Sequence, residues 1–250
     1  MYPILFSFGN ITIYSFGLLL SIAILVCGVG LSILAKKVRL DTTDLFDKYL
    51  LAIFVSIVCA RLTYFIVYPE AFKGPVGSIW TIFALWQGGL VFYGALFGGF
   101  IAFLLLFRKQ PLNLLRWLDI VFLMFILGLS IGQLGCTLGG CSLGAITDVV
   151  LSINHKVPAS LYESIFAFIL FIVGLIYFIN NYRKTNYKNG KVFAIGMAIF
   201  LGGRMMIDYF KASKLILWGV TAYLWVDIII VILIALMLLS LLMLRLKNRR

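Results

Sequence analysis

Six ionisable side chains sit inside stretches that are otherwise almost wholly apolar: Arg61, Asp119, Glu163, Arg204, Asp208 and Asp227. A charge in such a stretch is costly, so it faces a polar interior and marks a candidate site. Arg61 and Arg204 have the clearest chemistry. A guanidinium stays charged in a low-dielectric setting, and its planar fork donates two parallel hydrogen bonds to a phosphate. Two of them on different helices near one membrane face form a clamp for a lipid phosphate. Glu163 either balances that charge or takes up a proton. Arg204 and Asp208 are four residues apart and share a helix face, which also permits a purely structural ion pair. Asp119 lies one turn from Arg116 and reads as half of an interfacial ion pair. Asp227 is close enough to the start of its stretch to reach the outer interface.

The elements that must position these groups are helices in a membrane. Of 250 residues 63% are hydrophobic and 12% charged, with a mean hydropathy of +1.11. A soluble domain carries about 25% charged residues. A chain with so few has lipid as the solvent for most of its surface. Seven apolar stretches are each about as long as the hydrocarbon core requires, at 13–35, 47–68, 88–107, 115–135, 159–180, 191–210 and 222–246. The segment 79–86 is too short to span and reads as an interfacial helix on the outer side. The expected fold class is therefore an all-α polytopic membrane protein of seven transmembrane helices, one domain over residues 1–250.

Charge orients it. With the N-terminus outside and the C-terminus cytoplasmic, 15 of the 21 lysines and arginines fall in cytoplasmic loops and the tail. Only Lys73, Lys156, Lys211 and Lys214 remain outside. That asymmetry is the positive-inside pattern, and it accounts for a net charge of +12 without any nucleic-acid partner. The first residues, MYPILFSFGNITIYSFG, have no basic start and no small-residue cleavage site, so no cleaved signal peptide is expected. Four cysteines, Cys27, Cys59, Cys136 and Cys141, are too few for a disulfide scaffold, and the single His155 leaves no His-rich metal site. Cys136 and Cys141 either pack as small apolar groups, pair on the oxidising outer face or, least in keeping with the rest, serve as a thiol nucleophile.

Glycines form two clusters, GGLVFYGALFGG at 88–99 and GQLGCTLGGCSLG at 132–144. Small residues let helix backbones approach closely in membranes. The second cluster runs past its span into a loop, which also suits backbone approach to a bound group.

These residues resemble, in order along the chain, the motifs of the prolipoprotein diacylglyceryl transferase family. Pro3-Ile4, Ile11 and Ser15-Phe16-Gly17-Leu18 echo its N-terminal pattern, and 88–99 resembles its GGLxFHGGxxGG segment. Residues 132–144 stand where it has G-R-x-G-N-x-x-N-G-E-x-x-G. Pro158-Ala159-Ser160-Leu161-Tyr162-Glu163 is similar to its H-P-(S/T)-Q-L-Y-E, and Gly203-Arg204-Met205-Met206-Ile207-Asp208 to its G-x-R-x-x-x-E. The resemblance implies transfer of the diacylglyceryl group of phosphatidylglycerol to the lipobox cysteine of secreted prolipoproteins, which present it on a signal peptide. The setting it implies is the inner membrane of a bacterium, with no cofactor and no metal. It assigns catalytic roles to Tyr93, Glu163 and Arg204, and lipid-phosphate binding to Arg61, Gln133, Gly144, Arg204 and Asp208. The chain departs from the family pattern at Phe16 (tyrosine in the family), Tyr93 (histidine), Gln133 (arginine), and Cys136 and Cys141 (asparagine and glutamate). An alternative is a diverged paralogue that binds phospholipid, or acts on a different lipid, without prolipoprotein transfer. A small transporter is disfavoured, because the charged groups gather towards the outer half instead of lining the full depth.

Overall fold

The computed structural model describes residues 4–8, 11–68, 89–107, 113–140, 158–183, 189–208, 216–217 and 220–221. Among them are six helices: α1 (Ser15–Lys37), α2 (Leu45–Val67), α3 (Phe92–Phe107), α4 (Leu114–Gly139), α5 (Ala159–Asn181) and α6 (Lys191–Asp208). Four of these, α1, α2, α4 and α5, are long and apolar enough to cross a membrane. At 1.5 Å per residue a 23-residue helix is about 35 Å long, enough for a hydrocarbon core of about 30 Å. The 16 residues of α3 reach only about 24 Å. The expected interfacial segment 79–86 and the expected seventh span 222–246 lie outside the described residues, as does Asp227.

Two short hairpins accompany the helices, where the sequence reading expected helices alone. Strands β1 (Ile4–Phe8) and β2 (Ile11–Tyr14) pair antiparallel, with Phe8 opposite Ile11 and Ile4 opposite Tyr14. Strands β3 (Ile216–Leu217) and β4 (Val220–Thr221) pair likewise. Two residues, Gly9-Asn10, separate β1 from β2, a spacing and composition that favour a tight hairpin. The signal is easy to miss because the apolar run of β2 continues without a break into α1.

The chain forms two units, one of residues 1–39 with 115–250 and one of residues 40–114. In the first, α4 is the central element. Its Trp117, Ile120, Leu123 and Ile126 are wholly buried. Cys27 of α1 bonds through its thiol to the Met124 carbonyl at 3.1 Å. Ser130 and Ser164 exchange bonds between α4 and α5, each hydroxyl donating to the other's carbonyl, at 2.9 and 2.7 Å. Two small residues let neighbours close on α4: a Cβ at Gly174 would lie 2.9 Å from the Leu123 side chain, and one at Gly196 would collide with the Phe122 ring. Away from these seams the helices are apolar and exposed, as at Leu25, Val29, Ile169 and Val173. A helix apolar on its outward face is solvated by lipid.

Asp119 is wholly buried, and its role differs from the interfacial pair with Arg116 that its spacing suggested. Its two carboxylate oxygens accept the backbone N–H groups of Gly190, at 2.7 Å, and Phe193, at 2.8 Å. Those donors belong to the start of α6, where the first turn has no intrahelical acceptors and the macrodipole favours an anion. A side chain of α4 thus caps α6 from outside its own segment. Gly190 has φ +87°, a left-handed conformation open to glycine at little cost.

In the second unit, α2 and α3 pack through the first glycine cluster. A Cβ at Gly94 would collide with the Thr63 hydroxyl and come within 2.8 Å of the Cys59 carbonyl, and one at Gly98 would collide with the Cys59 side chain. For these two glycines, close helix packing is the structural role. Gly94→Leu should therefore destabilise the protein by about 1–3 kcal/mol or more, the usual cost of overpacking, because a backbone carbonyl cannot swing aside. A thermal unfolding midpoint equal to that of the wild type would contradict this packing.

Candidate functional site

The strongest polar feature of the first unit is an ion pair between two spans. Glu163 is the fifth residue of α5, and Arg204 is four residues before the last residue of α6. The two helices run antiparallel across a short connection, which brings the start of one beside the end of the other. Arg204 Nη1 lies 3.0 Å from Glu163 Oε1, with the side chains 7% and 1% exposed. Taking both charges out of water costs several kcal/mol per ion, repaid only when geometry and further hydrogen bonds are good. The carboxylate holds the guanidinium beside it by charge. With five N–H donors, that guanidinium can serve more than one carboxylate oxygen.

The face of α4 at this level is also polar. The Thr137 hydroxyl donates to the Gln133 carbonyl at 2.9 Å and lies 3.0 Å from the Ser160 hydroxyl. Two turns back along α4 and one turn on along α5, Ser130 and Ser164 exchange their two bonds. Gln133 falls between Ser130 and Thr137 on α4 as Glu163 falls between Ser160 and Ser164 on α5. The two hydroxyl pairs therefore bracket the half-buried Gln133 and the buried Glu163 on adjacent helices. Sequence reasoning singled out none of these four hydroxyl residues. Their signal was small hydroxyls recurring within apolar spans, which commonly hydrogen-bond across helices.

The glycines of the second cluster divide. A Cβ at Gly135 would stand 3.3 Å from the Phe16 backbone, so this residue packs α1 against α4, whereas Gly132 has open space around it. Gly140 ends α4 with φ +73°. Gly144 and Cys141 lie outside the described residues, so the pairing of Cys136 with Cys141 falls outside them too. Cys136 itself is half-buried on α4. The backbone of Asp208 closes α6; its side chain is outside what the structure describes.

Arg61 and Tyr93 belong to the second unit. Arg61 is 4% exposed although it lies in the third quarter of α2. Its Nη1 donates to the Gly89 carbonyl at 3.0 Å, and its guanidinium sits 5.6 Å from the centre of the Tyr64 ring, within the range of a cation–π contact. Gly89 has φ +75°, and a Cβ there would meet the Tyr64 ring at 2.5 Å and Arg61 Nη1 at 2.8 Å. Glycine is thus required both for the turn before α3 and for the approach of the guanidinium. Tyr93 is half-buried in the first turn of α3, its ring edge-on to Phe92. Among the described residues no group of three or more histidines, cysteines or acids could hold a metal ion.

Residues 3–240 match the family described as prolipoprotein diacylglyceryl transferase. Several relatives are named phosphatidylglycerol–prolipoprotein diacylglyceryl transferase. The one from Clostridium tetani is 28% identical over 231 residues, covering 85% of this chain and 86% of its own length. The Clostridioides difficile protein is 30% identical, covering 85% of this chain and 84% of its own, and that from a Nostoc species is 29% identical, with 86% and 80% covered. With a match that runs through every described helix, this chain belongs to the prolipoprotein diacylglyceryl transferase family.

Proposed function

We infer that this protein transfers the diacylglyceryl group of phosphatidylglycerol to the lipobox cysteine thiol of secreted prolipoproteins. It does so as a seven-span enzyme of the bacterial inner membrane with its N-terminus outside. Family membership over nearly the whole chain supports the reaction. The uneven distribution of lysine and arginine supports the orientation. The observation that carries the site is the buried Arg204–Glu163 pair, 3.0 Å apart, in the half of α6 and of α5 that this orientation turns outward, where a secreted substrate arrives.

The chemistry asks for little beyond charge and alignment. The substrate's thiolate attacks the glyceryl carbon that bears the phosphate. A C–S bond forms as the C–O bond breaks, glycerol phosphate leaves with the electron pair, and the thiol proton passes to a base or to water. Negative charge grows on the departing phosphate, and a preorganised cation lowers that barrier most. Arg204 is the catalytic residue for this step, and Glu163 is a positioning residue that fixes its guanidinium. Arg61, a buried cation of the second unit, keeps its assignment to lipid-phosphate binding. Gln133 donates an amide hydrogen bond without neutralising charge. Gly144 and Asp208 are assigned to lipid-phosphate binding by their places in the family's motifs. A phenol is a poor base near neutral pH, so Tyr93 acts by hydrogen-bonding the substrate.

Two separately labelled phosphatidylglycerols test this reaction. With label in the acyl chains, a lipobox peptide should become labelled; with label in the glycerol headgroup, the label should be released as glycerol phosphate and never reach the peptide. Tight binding of both lipids without release would instead indicate a paralogue that binds phospholipid only.

A further inference from the structure

The first unit carries a second feature that the transfer reaction does not use. A groove of about 490 Å³ lies between α1, α4 and α5, and every described residue lining it is apolar, from Leu25 to Leu34 on α1 across Met124 and Leu127 to Leu175. It is well separated from the ion pair: Glu163 and Leu175 are twelve residues apart on α5, about 18 Å along the axis.

Its dimensions select an occupant. The nine steps from Leu25 to Leu34 are about 14 Å of helix, close to half of a hydrocarbon core of about 30 Å. The groove is therefore one leaflet deep. An extended hydrocarbon chain of the surrounding lipid matches that length and the apolar lining. Gly30 forms part of the floor, where a Cβ would stand 2.6 Å from the Met124 sulfur.

Charge at one end selects the headgroup. Lys37 is four residues beyond Ile33 and three beyond Leu34 on α1. Arg183 is two four-residue steps beyond Leu175, just past α5, with Tyr182 between them still in the helical region. Arg116 is two such steps before Met124 on α4. Residues four apart share a helix face, so α1 extends the groove's face to Lys37, and Arg116, on α4, and Arg183, just past α5, lie beyond the same end of the groove. Lys37, Arg116 and Arg183 are all exposed, and the Arg183 Nε is steadied by a 2.7 Å bond to the Tyr182 hydroxyl.

We propose that this groove is a second lipid site, holding one acyl chain of an anionic glycerophospholipid of the inner leaflet with its phosphate against Lys37 and Arg183. The leaflet rests on the N-out orientation given above; the site does not depend on the transfer reaction.

Native mass spectrometry of the purified full chain, without peptide, tests the proposal with phosphatidic acid as the probe and diacylglycerol of the same acyl chains, which has no phosphate, as the uncharged comparison. Removing each cation should weaken phosphatidic acid binding about fivefold, the effect of one basic residue near a membrane surface. Lys37→Gln with Arg183→Gln should thus cost roughly 25-fold, leaving diacylglycerol unchanged. Gly30→Leu should reduce binding of both lipids by filling the groove, since the Met124 thioether it meets is flexible and can move aside. Wild-type affinity in both the double charge variant and Gly30→Leu would overturn the proposal, as would equal retention of the two lipids by the wild type. Loss of phosphatidic acid in Arg204→Ala alone would also overturn it, while leaving the transfer reading intact.

Discussion

Arg204→Ala is expected to lower the rate of transfer by about 10²–10³-fold, the usual effect of removing one preorganised donor to a developing anion. Some loss of stability should accompany it, because Glu163, 1% exposed, would keep a buried carboxylate without its guanidinium, a change that costs about 3–5 kcal/mol. The two effects separate in a paired variant. Arg204→Met with Glu163→Leu removes both charges and should restore stability, since apolar replacement of a buried pair is often neutral or stabilising. It should not restore transfer. Recovery of activity in the paired variant would show that the ion pair serves only the fold. Arg204→Lys adds a finer readout: a point charge without the planar fork should keep the protein folded yet bind anionic lipid more weakly.

The second large effect is expected at Asp119, far from any substrate. Asp119→Ala removes the acceptor of two backbone N–H groups at the start of α6, from Gly190 and Phe193. Hydrogen bonds to a charged group contribute about 1.5–3 kcal/mol each, and buried donors left without an acceptor cost a similar amount. A loss of about 3–5 kcal/mol follows. Asp119→Asn retains one acceptor oxygen and should lose about half as much. Because α6 also carries Arg204, activity should fall in step with the disorder of the helix start, read as reduced backbone protection of residues 190–194 in hydrogen exchange. Wild-type stability in both variants would exclude the cap.

The contrast between these two residues shows what was legible in the sequence. Hydropathy located six helices to within a few residues, because lipid-facing helices must be apolar along their whole length whatever their neighbours. The start of α3 was placed four residues early, since nothing in composition shows that Gly89 adopts φ +75° and delays the helix to Phe92. The first hairpin was hidden for a related reason: β1 and β2 are as apolar as the helix that follows. Asp119 is the instructive case. Spacing alone pointed to Arg116, one turn away, whereas the backbone donors that meet its carboxylate lie 71 and 74 positions along the chain. Local periodicity cannot report a contact of that kind. The same limit applies to Arg204, which has Asp208 at helical spacing and Glu163, on another helix, as an ion-pair partner. The ordered motifs identified the family; the hydroxyl pairs that bracket Gln133 and Glu163 emerged only from the packing of α4 on α5.

The most direct measurement is the mass of a lipobox peptide after incubation with the purified protein and phosphatidylglycerol of defined acyl chains. A single adduct equal to one diacylglyceryl group is expected, joined to the cysteine as a thioether stable to mild base that hydrolyses its acyl esters. An unmodified peptide, or an adduct of one fatty acyl group that mild base removes completely, would contradict it.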